Sequence, residues 1–297
     1  PDLTINAIRA ITHVRYPTDD VSAEGIDPET MNIFLWAIQN DIPPPAEHAL
    51  GAFTRRKLKK MSSWKDWEAA ERKQLDQFAQ LEMFGLPQER PLGAIVLRPH
   101  WNYTIKHNGD LRARCCCDGS KRVAPLLHTL ASTYSSCVEQ PVQRLFYALS
   151  AYEGYRVYQA DAQDAYAHSP APSVPTYVTI DDQYADWYFH KYGKHINRRL
   201  VLPVLHALQG HPEAGKCWEF HINSILLGPD LGFTTTTHDK TIYTTMWKGI
   251  KVLLLRQVDD FELACPEEAI AQEIFGIIGT KLKVASEEKA PIKYLGL

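Results

Sequence analysis

A chain of 297 residues with 45% hydrophobic and 23% charged side chains lies in the ordinary globular range, long enough to bury one or two cores. No apolar run approaches bilayer-crossing length and no signal-peptide pattern opens the sequence, so a helical membrane protein is excluded and a soluble, intracellular protein without a membrane partner is expected. The net charge of −3 hides a segregation: residues 1–54 carry 8 acidic and 2 basic side chains, whereas residues 55–122 carry 15 basic and 8 acidic. A basic segment beside acidic ones suits a protein that holds a phosphate backbone with one part and cations with another, although a solvated charged face gives the same count. The first residue is Pro1, and the chain reads as a piece of something longer.

Residues 1–60 are expected to be a poorly structured, acidic and Pro-rich connector, ending in the stiff Pro43-Pro44-Pro45 spacer and a basic cluster, Arg55 to Lys60. Ser63 to Phe84 predicts the clearest early helix. Ser63 and Asp66 resemble a capping box, Trp67, Ala70, Leu75, Phe78 and Leu81 recur near helical spacing, and Gly85 and Pro87 stop it. From Gly93 to Cys117 the pattern turns to short strands, with Asn108-Gly109 as a hairpin turn leading to Arg112 and Arg114 on one face. Guanidiniums so placed suit phosphate oxygens, and equally suit ion pairs with acids elsewhere. Cys115, Cys116 and Cys117 are adjacent, which fits neither a disulfide framework nor a C-x-x-C zinc clip; reduced, partly buried thiols are expected.

Pro141 to Gly154 predicts a helix whose buried side is Leu145, Phe146, Leu149 and Tyr152. It feeds a β-rich run, Arg156 to Asp161, followed by Asp164 and Tyr166. Prolines at 170, 172 and 175 then introduce a mixed, Tyr-rich region. Gln209-Gly210-His211-Pro212 makes a corner before a helix from Glu213 to Leu227, with Trp218, Ile222, Ile225 and Leu226 inward. Thr241 to Trp247 predicts a strand joined through Lys248-Gly249 to Ile250–Cys265, a hairpin with Asp259 and Asp260 at its tip. Pro266 opens a last helix, and Lys293 to Leu297 begins another strand. The class is α+β: an antiparallel sheet with helices packed on one side.

Asp at a turn commonly does no more than cap backbone N–H groups. Here two β-edges each end in acid. Side by side in one sheet they would hold a pair of divalent cations about 4 Å apart, an arrangement suited to in-line phosphoryl displacement.

In the order in which these boxes occur, the sequence resembles the reverse transcriptase of copia-type retrotransposons over roughly residues 64–297. Gln257-Val258-Asp259-Asp260 is similar to the family's Y-V-D-D box, with Gln257 where Tyr is usual. Asp161 to Tyr166 resembles the box with the first catalytic aspartate and an aromatic five residues on. Ala207 to Pro212 with Trp218 resembles the intervening box, Trp101 to Arg114 the fingers hairpin, and Lys293 to Gly296 the F-L-G box.

The resemblance implies a right-hand polymerase fold, with fingers at about 85–140, a palm at about 141–297, and no complete thumb, connection or RNase H domain. It implies an RNA-directed DNA polymerase from a retrotransposon polyprotein, working on an RNA or DNA template with a primer and on deoxynucleoside triphosphates. Asp161, Asp259 and Asp260 would be the catalytic and metal-binding acids, with the Ala162 carbonyl as a further ligand and Mg²⁺ as cofactor, Mn²⁺ substituting. Lys106 and Arg114 would neutralise the triphosphate. Tyr166 would exclude a 2′-hydroxyl, and Gln209 and Gly210 would shape the nucleotide pocket. Remaining polyprotein domains are implied as partners, and the cytoplasm, a virus-like particle or the nucleus as location. Two other classes share the acids: a two-metal nuclease, and a non-catalytic remnant that binds nucleic acid.

Overall fold

In a computed structural model, residues 54–105, 110–131, 133–282 and 284–287 are described. The expected connector up to residue 53, the Asn108-Gly109 turn and the expected strand from Lys293 lie outside those residues. The chain divides into two compact units, one formed by its residues up to Asp76 together with His100–Cys115, the other by Gln77–Pro99 and the residues from Cys116 onward.

In chain order the elements begin with helices α1 (Arg55–Leu58) and α2 (Trp64–Gln80), then strands β1 (Ile95–Leu97), β2 (Pro99–Ile105) and β3 (Leu111–Cys117). Thr54 caps α1 by accepting from the Lys57 N–H. β2 and β3 pair as a two-stranded sheet. The first unit closes around Leu58, Trp67, Leu75, Trp101 and Tyr103, all buried. The deeply buried Glu71 accepts from the Arg55 guanidinium (2.9 Å) and the Tyr103 hydroxyl (2.5 Å). The first member of the expected basic cluster is therefore an internal ion-pair partner, the usual condition on which a carboxylate is buried.

Helices α3 (Pro125–Leu130) and α4 (Gln140–Tyr152) follow, then β4 (Arg156–Ala162), a 3-10 turn (Ala165–His168), β5 (Thr176–Thr179), α5 (Asp182–Tyr192), β6 (Val201–Pro203) and α6 (Ala214–Leu226). The chain continues through β7 (Thr234–Thr235), β8 (Ile242–Trp247), β9 (Ile250–Gln257), β10 (Asp260–Cys265), α7 (Glu268–Gly279) and β11 (Val284–Glu287). α5 emerges from the Tyr-rich region: Asp181 accepts from the Tyr184 N–H at its start, and Gly193 at φ +65° ends it.

Six strands form one antiparallel sheet in the order β11-β4-β10-β9-β8-β7. Its strand β9 is apolar on both faces from Val252 to Leu255, which are consecutive buried residues. Val252, Leu254, Phe261, Leu263 and Cys265 pack with α6 and α7 through Trp218, Ile222, Leu226, Ile274 and Ile278. Leu253, Leu255, Ala264 and Ile242 pack on the opposite face with Phe146 of α4. The class is α+β, but helices cover both faces of this sheet, not one side as expected. A second sheet, β1-β5-β6, contains a parallel pair, β1 with β5.

α4 is rotated from its expected orientation. Phe146 is buried, but with Gln143 and Ser150, whereas Leu145, Leu149 and Tyr152 are exposed. The reason lies in what α4 packs against: that face of the sheet carries Gln159 and Glu262 beside its leucines, and the Tyr147 hydroxyl reaches Glu262 at 2.6 Å. A polar sheet face selects the helix face that can satisfy it, at the expense of the more hydrophobic one.

Candidate active site

β4 and β10 are separated by about a hundred residues of sequence and lie side by side, with Asp260 paired to Asp161, Phe261 to Ala160 and Glu262 to Gln159. On β9, Gln257 pairs with Asp260. Directly opposed residues share a face, so Gln257, Asp260 and Asp161 stand in one row across three strands. The row is polar because it lies at the strand ends, where the leucine-rich interior gives way to solvent.

Between β9 and β10 the turn is Val258-Asp259. Val258 has φ +53°, a left-handed conformation that a β-branched residue adopts only against a cost of order 1–3 kcal/mol. Its surroundings hold it there. The buried Trp218 of α6 donates its indole N–H to the Val258 carbonyl (2.6 Å), and the Ala162 N–H donates to the Asp259 carbonyl (2.8 Å). These bonds aim Asp259 at the row. One carboxylate oxygen from each of Asp161, Asp259 and Asp260 lies within 4.8 Å of the other two.

Three like charges so close repel unless they are protonated or share a cation. The donors are hard oxygens alone, the set that suits magnesium or manganese, and the side chains reach solvent, leaving positions for water. The residues fit a divalent-cation site.

The other expected site residues are placed as follows. Ala162 is buried and spends its N–H on the Asp259 turn. Tyr166 lies in the 3-10 turn after Asp164, partly buried against the core that contains Trp218 and Phe261. Gln209 and Gly210 form a corner on the end of β3: the Cys117 N–H donates to the Gln209 carbonyl (2.8 Å). At Gly210, with φ +88°, an added Cβ would stand 2.1 Å from the Cys117 carbonyl oxygen, so glycine is required there by packing alone. Arg114 is half-buried on β3 in the first unit, and Lys106 lies outside the described residues. Burial pushes the Cys117 thiol up to about 12, keeping it a protonated, unreactive group.

Sequence reasoning passed over the groups that surround the row. Glu262 is fully buried, accepting from Tyr147 (2.6 Å) and Gln159 (3.2 Å), and burial raises its carboxyl above the usual range. Arg256, also buried, donates to the Tyr243 hydroxyl (3.1 Å) and pairs with Glu219 at 3.5 Å. A charged residue inside an otherwise apolar strand, FELAC or LLLRQ, is the signal that would have found both.

No protein-family model matches the chain, and no curated protein does. Among solved structures, the chain is similar to telomerase from Candida albicans in complex with a fragment of telomeric RNA, at TM-score 0.37 and 12% identity, covering 76% of this chain and 46% of that one. It is also similar to the protease-reverse transcriptase of prototype foamy virus, at 0.35 and 12%, covering 71% and 22%, and to apo telomerase from Candida tropicalis, at 0.35 and 10%, covering 76% and 56%. The chain thus spans only part of each.

Proposed function

We propose that the chain is the polymerase portion of an RNA-directed DNA polymerase, transferring deoxynucleotides to a primer 3′-hydroxyl. One observation carries this: two acid-bearing strand ends, distant in sequence, meet so that three carboxylates converge within 4.8 Å. Asp161 and Asp259 are the metal-holding pair and Asp260 the adjacent acid. Magnesium bound there would supply Lewis-acid activation of the attacking hydroxyl and neutralisation of charge on the transferring phosphate. The protein's own part is positioning: the strand pairing fixes Asp260 against Asp161, and the Trp218 and Ala162 bonds hold Asp259 beside them.

The finer roles follow the sequence resemblance. Tyr166, which follows Asp161 closely in sequence and is only partly buried, is the residue proposed to exclude a 2′-hydroxyl. Gln209 and Gly210 shape the nucleotide pocket. Lys106 and Arg114 are proposed for the triphosphate on the resemblance alone, as are residues 85–140 as fingers, 141–297 as palm and the retrotransposon source.

Primer extension on an RNA template, with Mg²⁺ and deoxynucleotides, tests the reading. Incorporation that disappears in Asp161→Ala and Asp259→Ala upholds it. Strand cleavage without incorporation would replace it with a two-metal nuclease, and binding without either reaction would leave a nucleic-acid-binding remnant.

A further inference from the structure

The segment between α3 and α4, residues 133–139, has no regular secondary structure, yet it is tied down at three points. The Val138 N–H donates to the Gln257 side-chain oxygen (2.7 Å), and the Ser136 N–H donates to a Glu219 carboxylate oxygen (3.1 Å). Ser135 lies so close to the first turn of α6 that a Cβ at Gly215 would meet its Oγ at 2.6 Å. Glu219 is itself fixed by the buried Arg256. Two backbone donors of an irregular strap are thus satisfied by side chains of the acid hairpin and of the helix that anchors it.

Gln257 opens the row that continues through Asp260 to Asp161, so its bond places Val138 at one end of the acids, on their face of the sheet, while Ser135 and Ser136 sit against α6. The strap turns outward there: Tyr134 is 78% exposed, and residues 133, 137 and 139 are exposed as well. Anything long that reaches the acids on this side meets the strap.

We propose that Gln257 is a positioning residue that latches residues 133–139 as a side wall of the acid site, and that primer–template affinity depends on this latch. The proposal rests on the polymerase reading above. It assigns the Gln257 amide to the protein itself, with its oxygen engaged by Val138.

The test uses the full chain and a labelled RNA–DNA primer–template of defined sequence. Hydrogen exchange at residues 135–138 and primer–template affinity by fluorescence anisotropy are measured for the wild type, Gln257→Leu, which lacks the acceptor, and Gln257→Glu, which retains one. The latch predicts exchange at least tenfold faster and affinity at least fivefold weaker in Gln257→Leu, with protection retained in Gln257→Glu and Mn²⁺ affinity within twofold of wild type in Gln257→Leu. Weaker binding with the strap still protected would overturn the proposal in favour of direct contact between Gln257 and nucleic acid. Faster exchange with unchanged affinity, or no change in either, would overturn it too. A wild-type chain that binds primer–template but does not extend it refutes the polymerase reading and leaves these outcomes decisive for the latch; one that does not bind it at all refutes both.

Discussion

The indole N–H of Trp218, on α6, is hydrogen-bonded at 2.6 Å to the carbonyl of Val258, the left-handed residue immediately before Asp259. A helix core residue thereby sets the direction of a carboxylate. Trp218→Phe preserves most of the packing and deletes the donor, which leaves a partly buried carbonyl unsatisfied. The expected loss of stability is about 1–3 kcal/mol. Activity should fall by more than unfolding accounts for, because a turn relieved of its strain no longer presents Asp259 to the other acids. Chemical denaturation together with primer extension under conditions where the variant stays folded checks this; full activity in a destabilised variant would confine Trp218 to packing.

Asp161, Asp259 and Asp260 repel one another in the absence of a cation, so neutralising one of them relieves the fold while removing a metal ligand. Asp259→Asn should therefore melt at or above the wild-type temperature in metal-free buffer. Millimolar Mg²⁺ or Mn²⁺ should raise the melting temperature of the wild type by preferential binding to the folded state and leave Asp259→Asn nearly unmoved. Thermal melts with and without the metals decide it. An equal rise in both proteins would place the cation elsewhere.

The hairpin of β9 and β10 was legible because Lys248-Gly249 and Asp259-Asp260 bracket a run of four apolar residues, Val252 to Leu255. Both acid-bearing strands and the inward face of α6 were readable on the same grounds. α4 was not, because periodicity ranks faces by hydrophobicity and cannot know that the facing sheet presents Glu262 and Gln159. β11 was missed for a related reason: the four residues VASE have no strand alternation of their own and are ordered by pairing with β4, Ala285 opposite Asp161. The acid-ended strands suggest that the acids could converge, but nothing local in either strand specifies its partner, and the pairing of β4 with β10 is what brings them together.

The rotated α4 makes its own prediction. Phe146 is fully buried between Leu253, Leu255 and Ala264, whereas Tyr152 is 86% exposed. Phe146→Ala should cost about 3–5 kcal/mol, and Tyr152→Ser should stay within about 0.5 kcal/mol of wild type, as surface changes do. Urea denaturation of the two variants distinguishes this orientation from the one that periodicity suggests, in which both aromatic residues would be costly to remove.

His211 gives the fold a pH dependence whose sign is fixed. It is buried at the corner after Gly210, its Nδ1 accepts from the Glu213 N–H (3.1 Å), and Nε2 lies 3.1 Å from the Thr176 hydroxyl. Burial is the main cause that lowers its pKa, with His128 acting in the same direction and Glu213 opposing both. The folded chain therefore holds this imidazole neutral at a pH where the unfolded chain, titrating near 6.5, has begun to bind a proton. Below that value the unfolded state carries more protons than the native one, so stability falls as the pH is lowered, and the fall continues until the depressed folded pKa is passed. Protonation would also turn Nδ1 from acceptor to donor against the Glu213 N–H. Unfolding free energy measured from pH 7.5 down to 5 should decline in the wild type, and the decline should be shallower in His211→Asn, which offers a neutral side-chain acceptor at every pH. Identical slopes in the two proteins would remove His211 as the source of the dependence.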